Sequence, residues 1–200
     1  MPWRVAGIGR AEANTIAQVD GRPVYGGTPA DAAVIEAIAA LRSSGQAVMF
    51  YPFILMEQLP GNTLPDPWSG AVGQPAFPWR GRITTRVAPD QPGTTDQSAG
   101  AAAEVAAFFG QASAADFCII DGGVQYSGPD EWRYRRFILH YAYLCKAAGG
   151  GDAFCVGSEM RALTRIRGAG DSFPAVSELV RLVHDVRAVL GPDTKISYAA

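Results

Sequence analysis

The sequence predicts an α/β fold, built on a parallel sheet that is either open or part of a (β/α)8 barrel. Short apolar runs bounded by glycine or turn residues read as buried strands, at 47–56, 152–158 and 195–199. Amphipathic segments long enough to cross back over a sheet alternate with these runs. Finally, 48% of the 200 residues are apolar, enough for a core of ordinary domain size.

Taken in order, Trp3 to Ile8 is a brief apolar segment that suits a strand, and Gly21 to Gly27 is turn-rich. Thr28-Pro29-Ala30-Asp31 then predicts a helix start, with Thr28 as N-cap, Pro29 in the first turn and Asp31 reaching back. Val34, Ile35, Ile38 and Leu41 follow at helical spacing and Gly45 ends the helix. Ala47 to Met56 predicts a strand buried on both faces, in which Pro52 lacks an amide donor, so that a bulge or an early end to pairing near Tyr51 is expected.

From Gln58 the composition turns to proline, glycine and polar residues, with Trp68, Phe77 and Trp79 among them. We read 58–126 as an ordered excursion from the fold. Within it, Ala101 to Phe109 is an alanine-rich helix, and Phe117 to Tyr126 predicts a hairpin around Asp121-Gly122-Gly123. Ser127-Gly128-Pro129-Asp130 reads as the cap of a long helix whose apolar stripe is Tyr134, Phe137, Ile138, Tyr141, Leu144 and Cys145, ending at Gly149-Gly150-Gly151.

The strand Asp152 to Ser158 presents one carboxylate, Glu159, at its tip, where α/β barrels keep their chemistry. A polar loop follows. Ser172-Phe173-Pro174 then opens a helix with Val176, Leu179, Val180, Val183 and Leu190 expected inward and Gly191-Pro192 as its stop, before a strand from Lys195 to Ala199.

Composition excludes several functions. A formal charge of −2, with scattered arginines, leaves no basic surface for nucleic acid. Cys118, Cys145 and Cys155 are an odd, unpaired set with apolar neighbours and read as buried free thiols. With only His140 and His184 besides, zinc-ligand spacings are absent, and no metal is expected. His140 reads as a satisfied boundary histidine, His184 as a solvated one. A nucleophilic role for Cys155 is disfavoured by its place between Phe154 and Val156. Gly7-Ile8-Gly9 lacks the third glycine of a dinucleotide fingerprint, so no cofactor is expected. No run approaches the ~18 apolar residues of a membrane span, and the Met-Pro-Trp-Arg start is not a secretory signal.

The segments MPWRVAGIGRA, VYGGTPADAAVIEAI, FYPFILM, GNTLPDPW, FPWRGRIT, GPDEWRYRRFILHYAYLC, DAFCVGSEMRALT and TKISYAA are spread along the whole chain, from Met1 to Ala200. They resemble the TIM-barrel-like domain of gene transfer agent and phage tail proteins, the large multidomain baseplate protein, often described as glycoside-hydrolase-like. The resemblance implies a barrel related to retaining glycoside hydrolases, with the acid/base carboxylate at the tip of strand four. In that register Trp3 to Ile8 is strand two, Ala47 to Met56 strand three, Asp152 to Ser158 strand four and Lys195 to Ala199 strand five. The 200 residues are then expected to form an incomplete barrel, with strand one upstream and strands six to eight downstream.

Retaining hydrolysis uses two carboxyl groups roughly 5–5.5 Å apart. Glu159 suits the acid/base role, whereas the resemblance puts its partner on strand seven, so the 200-residue polypeptide alone is expected to be inactive. The hydrolases carry Asn before the acid; Ser158 stands here, a shorter contact to sugar. Glu159 therefore has two readings: a surviving catalytic or sugar-binding carboxylate, or a structural one paired with Arg161 or a neighbouring strand. Glu57 and Tyr51 would sit at the barrel mouth, although Glu57 also suits a solvated loop. Trp68, Phe77 and Trp79 would either stack sugar rings or anchor the excursion.

The implied function is a tail or baseplate module, made in the bacterial cytoplasm and assembled into a phage-like tail particle, that binds host surface polysaccharide and, if catalysis survives, hydrolyses it. The alternative is a non-catalytic structural barrel contacting other tail and baseplate proteins. An incomplete barrel leaves strand edges uncovered, so the isolated polypeptide is expected to self-associate; sedimentation showing a monodisperse, cooperatively melting monomer would argue for a closed fold.

Overall fold

The computed structural model describes residues 18–19, 22–23, 29–54, 56, 61–75 and 77–199. In chain order the elements are β1 (Gln18–Val19), β2 (Arg22–Pro23), α1 (Asp31–Ser43), β3 (Met49–Phe50), α2 (Ala99–Phe109), β4 (Phe117–Ile120), β5 (Gly123–Tyr126), α3 (Tyr134–Ala147), β6 (Ala153–Ser158), α4 (Arg161–Arg165), α5 (Pro174–Leu190) and β7 (Lys195–Ala199). Short 3-10 turns occupy Arg80–Arg82, Ala114–Asp116 and Ala169–Asp171. The described residues divide into two compact units. One takes in β1, β2, 29–53, 110–158 and 181–199; the other takes in 54, 56, 61–75, 77–109 and 159–180.

The first unit holds a three-stranded parallel sheet ordered β3-β6-β7. The strands expected to be three, four and five of a barrel are thus parallel neighbours in that order. Among the described residues the sheet does not close into a barrel, and the expected strand Trp3 to Ile8 lies outside them. Strand β6 is apolar and bounded by glycine and a turn, and it is buried from Phe154 to Ser158 as the middle strand of a parallel sheet should be. Helix α3 packs its stripe inward: Tyr134, Phe137, Ile138, Tyr141, Leu144 and Cys145 are all buried. The Tyr134 hydroxyl donates to the carbonyl of Val156 at 2.9 Å, and Phe50 stacks with both Phe154 and Tyr141, joining helix to sheet. Helix α1 lies against α3 through buried Val34 and Ile38, and His140 Nε2 sits 3.0 Å from the Asp31 carboxylate.

Both helix stops follow the expected chemistry. After α1, Gly45 adopts φ +77°, its N–H reaching Arg42 O while Gln46 N–H reaches Leu41 O. After α3 the same paired bonds run from Gly149 to Lys146 and from Gly150 to Cys145. Each is a Schellman ending, which satisfies carbonyls the helix leaves open. The hairpin β4-β5 turns at Asp121-Gly122, both with positive φ, as a two-residue primed turn requires.

Several expectations need correction. Strand β3 spans two residues rather than ten and is not buried on both faces, Met49 being 62% exposed, whereas pairing ends at Phe50, beside Tyr51 where Pro52 was expected to stop it. Helix α1 begins at Asp31 with Ala30 in the cap position and no side-chain cap; Thr28 lies outside the described residues. Helix α3 begins at Tyr134, not at Ser127-Gly128-Pro129-Asp130. Ser127 N–H is taken by Asp116 O, and the Glu131 carboxylate accepts the amides of Gln111 and Ala112, so this stretch closes loops instead of capping. The capping box is at Ser113 and Asp116.

The polar loop expected after Glu159 contains α4. In α5 the inward stripe is Ala175, Leu182, Val186 and Val189, whereas Val176 and Val180 are exposed; both sets fit helical spacing, and packing selects between them. Cys118 is exposed, because the hairpin residues beyond Phe117 on β4 point to solvent.

Burial pushes the Cys145 thiol up to about 12 and raises Cys155. Tyr126, whose hydroxyl donates to Pro129 O, is also raised to about 12, mainly by burial and against the opposing pull of Arg136. Each folded-state value lies above its unfolded one, so the folded chain holds these protons more tightly. This stabilisation is complete below about pH 9 and is lost as pH rises toward about 12. Melting temperature is expected to fall steadily across that window. Under native, mildly alkaline conditions, alkylation followed by mass spectrometry is expected to label Cys118 and to spare Cys145 and Cys155 until the chain unfolds.

Candidate functional site

The site is built around Glu159, the residue that follows β6. The pairing of β6 with β7 is irregular just before it: Cys155 faces Ser197 and Ser158 faces Ala199, so β6 uses one residue more than its neighbour. Such a bulge bends a strand end and re-aims its side chains. Glu159 itself has φ +50°, a left-handed conformation that costs a non-glycine residue about 1 kcal/mol. Met160, wholly buried, then leads into α4.

In the second unit the excursion brings two donors to this carboxylate. Trp79 Nε1–H donates to Glu159 Oε2 at 2.8 Å, and an Arg80 guanidinium nitrogen lies 3.0 Å from the same oxygen. Trp79 and Arg80 open the 3-10 turn Arg80–Arg82, closed by Arg82 N–H to Trp79 O, and α4 packs against that turn. Arg80 is largely buried, at 15% exposed, while the Glu159 side chain is 41% and Trp79 50% exposed. An indole N–H and a guanidinium can only donate, so Oε2 serves as acceptor. Among the described residues Oε1 accepts no hydrogen bond, and no second carboxyl is among the polar partners of Glu159.

The excursion is ordered by its own polar residues. Asn62 Oδ1 accepts the amides of Leu64 and Gln74, Gln74 Nε2 donates to Pro65 O, and Pro65 bridges to Val72. Trp68 is half-buried; its indole donates to Arg82 O at 3.0 Å and its ring faces the Arg82 guanidinium, which also reaches Asp66. Asp96 accepts the Arg167 amide and Gln97 N–H reaches Arg167 O, tying the loop before α2 to the segment after α4.

Of the residues singled out in the sequence, the fold brings Trp79 to Glu159. Ser158 precedes Glu159 and is buried, and Arg161 is exposed at the start of α4, so the partner of Glu159 is Arg80 rather than Arg161. Trp68 sits with Arg82, and Phe77 is 70% exposed. Tyr51 belongs to the other unit, beside Phe53. Glu57 lies outside the described residues. Arg80 and Gly81 were missed: the run Trp79-Arg80-Gly81-Arg82 carries a signal only once it is known to meet a residue 79 positions on from Arg80.

Among the described residues no three His, Cys, Asp or Glu side chains gather closely enough to hold a metal ion, and no helix is long and apolar enough to cross a membrane.

Residues 132–200 match the family model of the GTA TIM-barrel-like domain, GTA denoting gene transfer agent. That segment, about a third of the chain, is similar to this family. No curated protein matches the chain. The GTA TIM-barrel-like segment holds α3, β6, Ser158, Glu159, α4, α5 and β7, while Trp79 and Arg80 come from the unmatched stretch before it.

Backbone strain at position 159 can be separated from its contacts. Glu159→Ala and Glu159→Gly both remove the carboxylate, but only glycine relaxes at positive φ. Thermal or urea unfolding is expected to find the glycine variant more stable than the alanine variant by about 1 kcal/mol; equal stabilities would mean that φ is unstrained.

Proposed function

We propose that this chain is a glycan-binding barrel module of a phage-like tail baseplate, made in the bacterial cytoplasm and used in the particle to engage polysaccharide of the host envelope. The observation that carries the reading is the half-exposed indole of Trp79 hydrogen-bonded to Glu159. An aromatic face beside a carboxylate acceptor suits a sugar, which offers C–H groups on one face and hydroxyl donors at its rim. Hydrolysis would need a second carboxyl roughly 5–5.5 Å from Glu159, which the resemblance assigns to strand seven. Binding is the activity that the described contacts of Glu159, an indole and a guanidinium, speak to.

A second reading has its own support. Two donors on one oxygen form a clamp that could serve only to hold the excursion, as in a structural baseplate module. Calorimetric titration of the chain with host envelope polysaccharide separates the two. Under the binding reading Trp79→Ala weakens affinity about tenfold, some 1.4 kcal/mol. Under the structural reading it lowers the melting temperature and leaves affinity unchanged, or no binding is seen at all. Release of reducing ends that is equal in wild type and Glu159→Gln would remove Glu159 from any hydrolysis.

A further inference from the structure

The Trp79 ring is fixed from two directions. A Cβ placed on Gly81 would lie 2.4 Å from Cη2 and Cζ3 of Trp79 and 2.5 Å from Cζ2, so the six-membered ring rests directly on the backbone of Gly81, which is buried. No φ requirement explains this glycine; its helical turn suits any residue, and what it provides is room. At the other edge Nε1 is held by Glu159 Oε2. One face of the ring is closed by backbone and its rotation is blocked by the hydrogen bond, yet half of the side chain stays exposed. An aromatic surface ordered before binding loses little rotamer freedom when it is covered.

The charges around it are matched. Arg80 accompanies Glu159 at 3.0 Å, and Arg82 is engaged by Asp66 at 3.4 Å and by the face of Trp68. Both cations of the turn thus have carboxylate partners beside the platform, an arrangement that offers an anionic sugar little net attraction.

Resting on the glycan-binding reading above, we propose that Trp79 is a preset stacking platform for an uncharged pyranose ring. Glu159 Oε1 accepts from one of the ring's hydroxyls, and Gly81 is the positioning residue that sets the plane of the indole. The sugar lays its C–H face on the open side of the ring, where the π cloud is negative, and binding varies little with salt.

The test titrates the whole chain with host envelope polysaccharide, with a panel of neutral gluco-, manno- and N-acetylglucosamine oligosaccharides, and with polyuronates, at low and high salt. A neutral ligand with salt-insensitive affinity is expected. Polyuronate binding that collapses with salt, without neutral binding, would overturn the ligand class and leave the broader glycan reading standing. Binding of nothing, envelope polysaccharide included, would remove both.

Gly81 is tested by a double-mutant cycle. Gly81→Ala is expected to weaken neutral-sugar binding at least about tenfold in wild type, and to cost nothing further beside Trp79→Phe, whose smaller ring clears the added methyl. The same loss in both backgrounds, or none in wild type, would overturn the positioning role. Because Trp79→Phe relieves the clash, the double variant remains informative even if Gly81→Ala alone folds poorly.

Discussion

The backbone at Asp152 sets the register of the sheet. Its N–H donates to Val48 O at 2.9 Å, its carboxylate takes Val48 N–H at 2.7 Å, and its carbonyl accepts Lys195 N–H at 2.9 Å. One residue thereby aligns the entries of β3, β6 and β7, and Thr194 Oγ1 adds a bond to the neighbouring Gly151 O. Register matters because a slip of one residue turns every side chain to the opposite face. With the entry of β6 fixed and a bulge before its exit, the residue that leaves the strand is Glu159 and not a neighbour.

The unfavourable backbone at Glu159 is offset locally. A left-handed non-glycine residue costs about 1 kcal/mol, while a hydrogen bond involving a charged group contributes about 1.5–3 kcal/mol when well buried. The Glu159 side chain is 41% exposed, so solvent screening reduces that gain toward the smaller value typical of surface ion pairs. The two effects are of similar size, and the conformation persists because bulge, indole and guanidinium act on the same residue. Backbone strain held in place at a strand end motivates a functional reading of it.

The division between matched and unmatched sequence bears on where specificity arises. The GTA TIM-barrel-like segment contributes the carboxylate and the strand that ends at it, and the preceding excursion contributes the indole and guanidinium. Scaffold strands hold a reacting or binding group, whereas loops change its company. Similarity of residues 132–200 to a barrel family therefore speaks to fold, and any function is argued from the contacts of Glu159.

The sequence by itself determined the α/β class, the buried course of β6, the inward stripe of α3, the Asp121-Gly122 turn and the glycine stops at Gly45 and Gly149, because each rests on local periodicity or on a backbone conformation that one residue type favours. Helix starts were harder to read: Ser127 and Asp130 have the composition of a cap, yet distant chain segments claim that stretch. Tertiary structure decided which of two helical stripes of α5 is buried, that Met49 of β3 is exposed, and that Glu159 meets Trp79 and Arg80 rather than Arg161. Those outcomes turn on contacts between residues far apart in the chain, where competition for the same donors, acceptors and apolar surface is settled only when the elements pack.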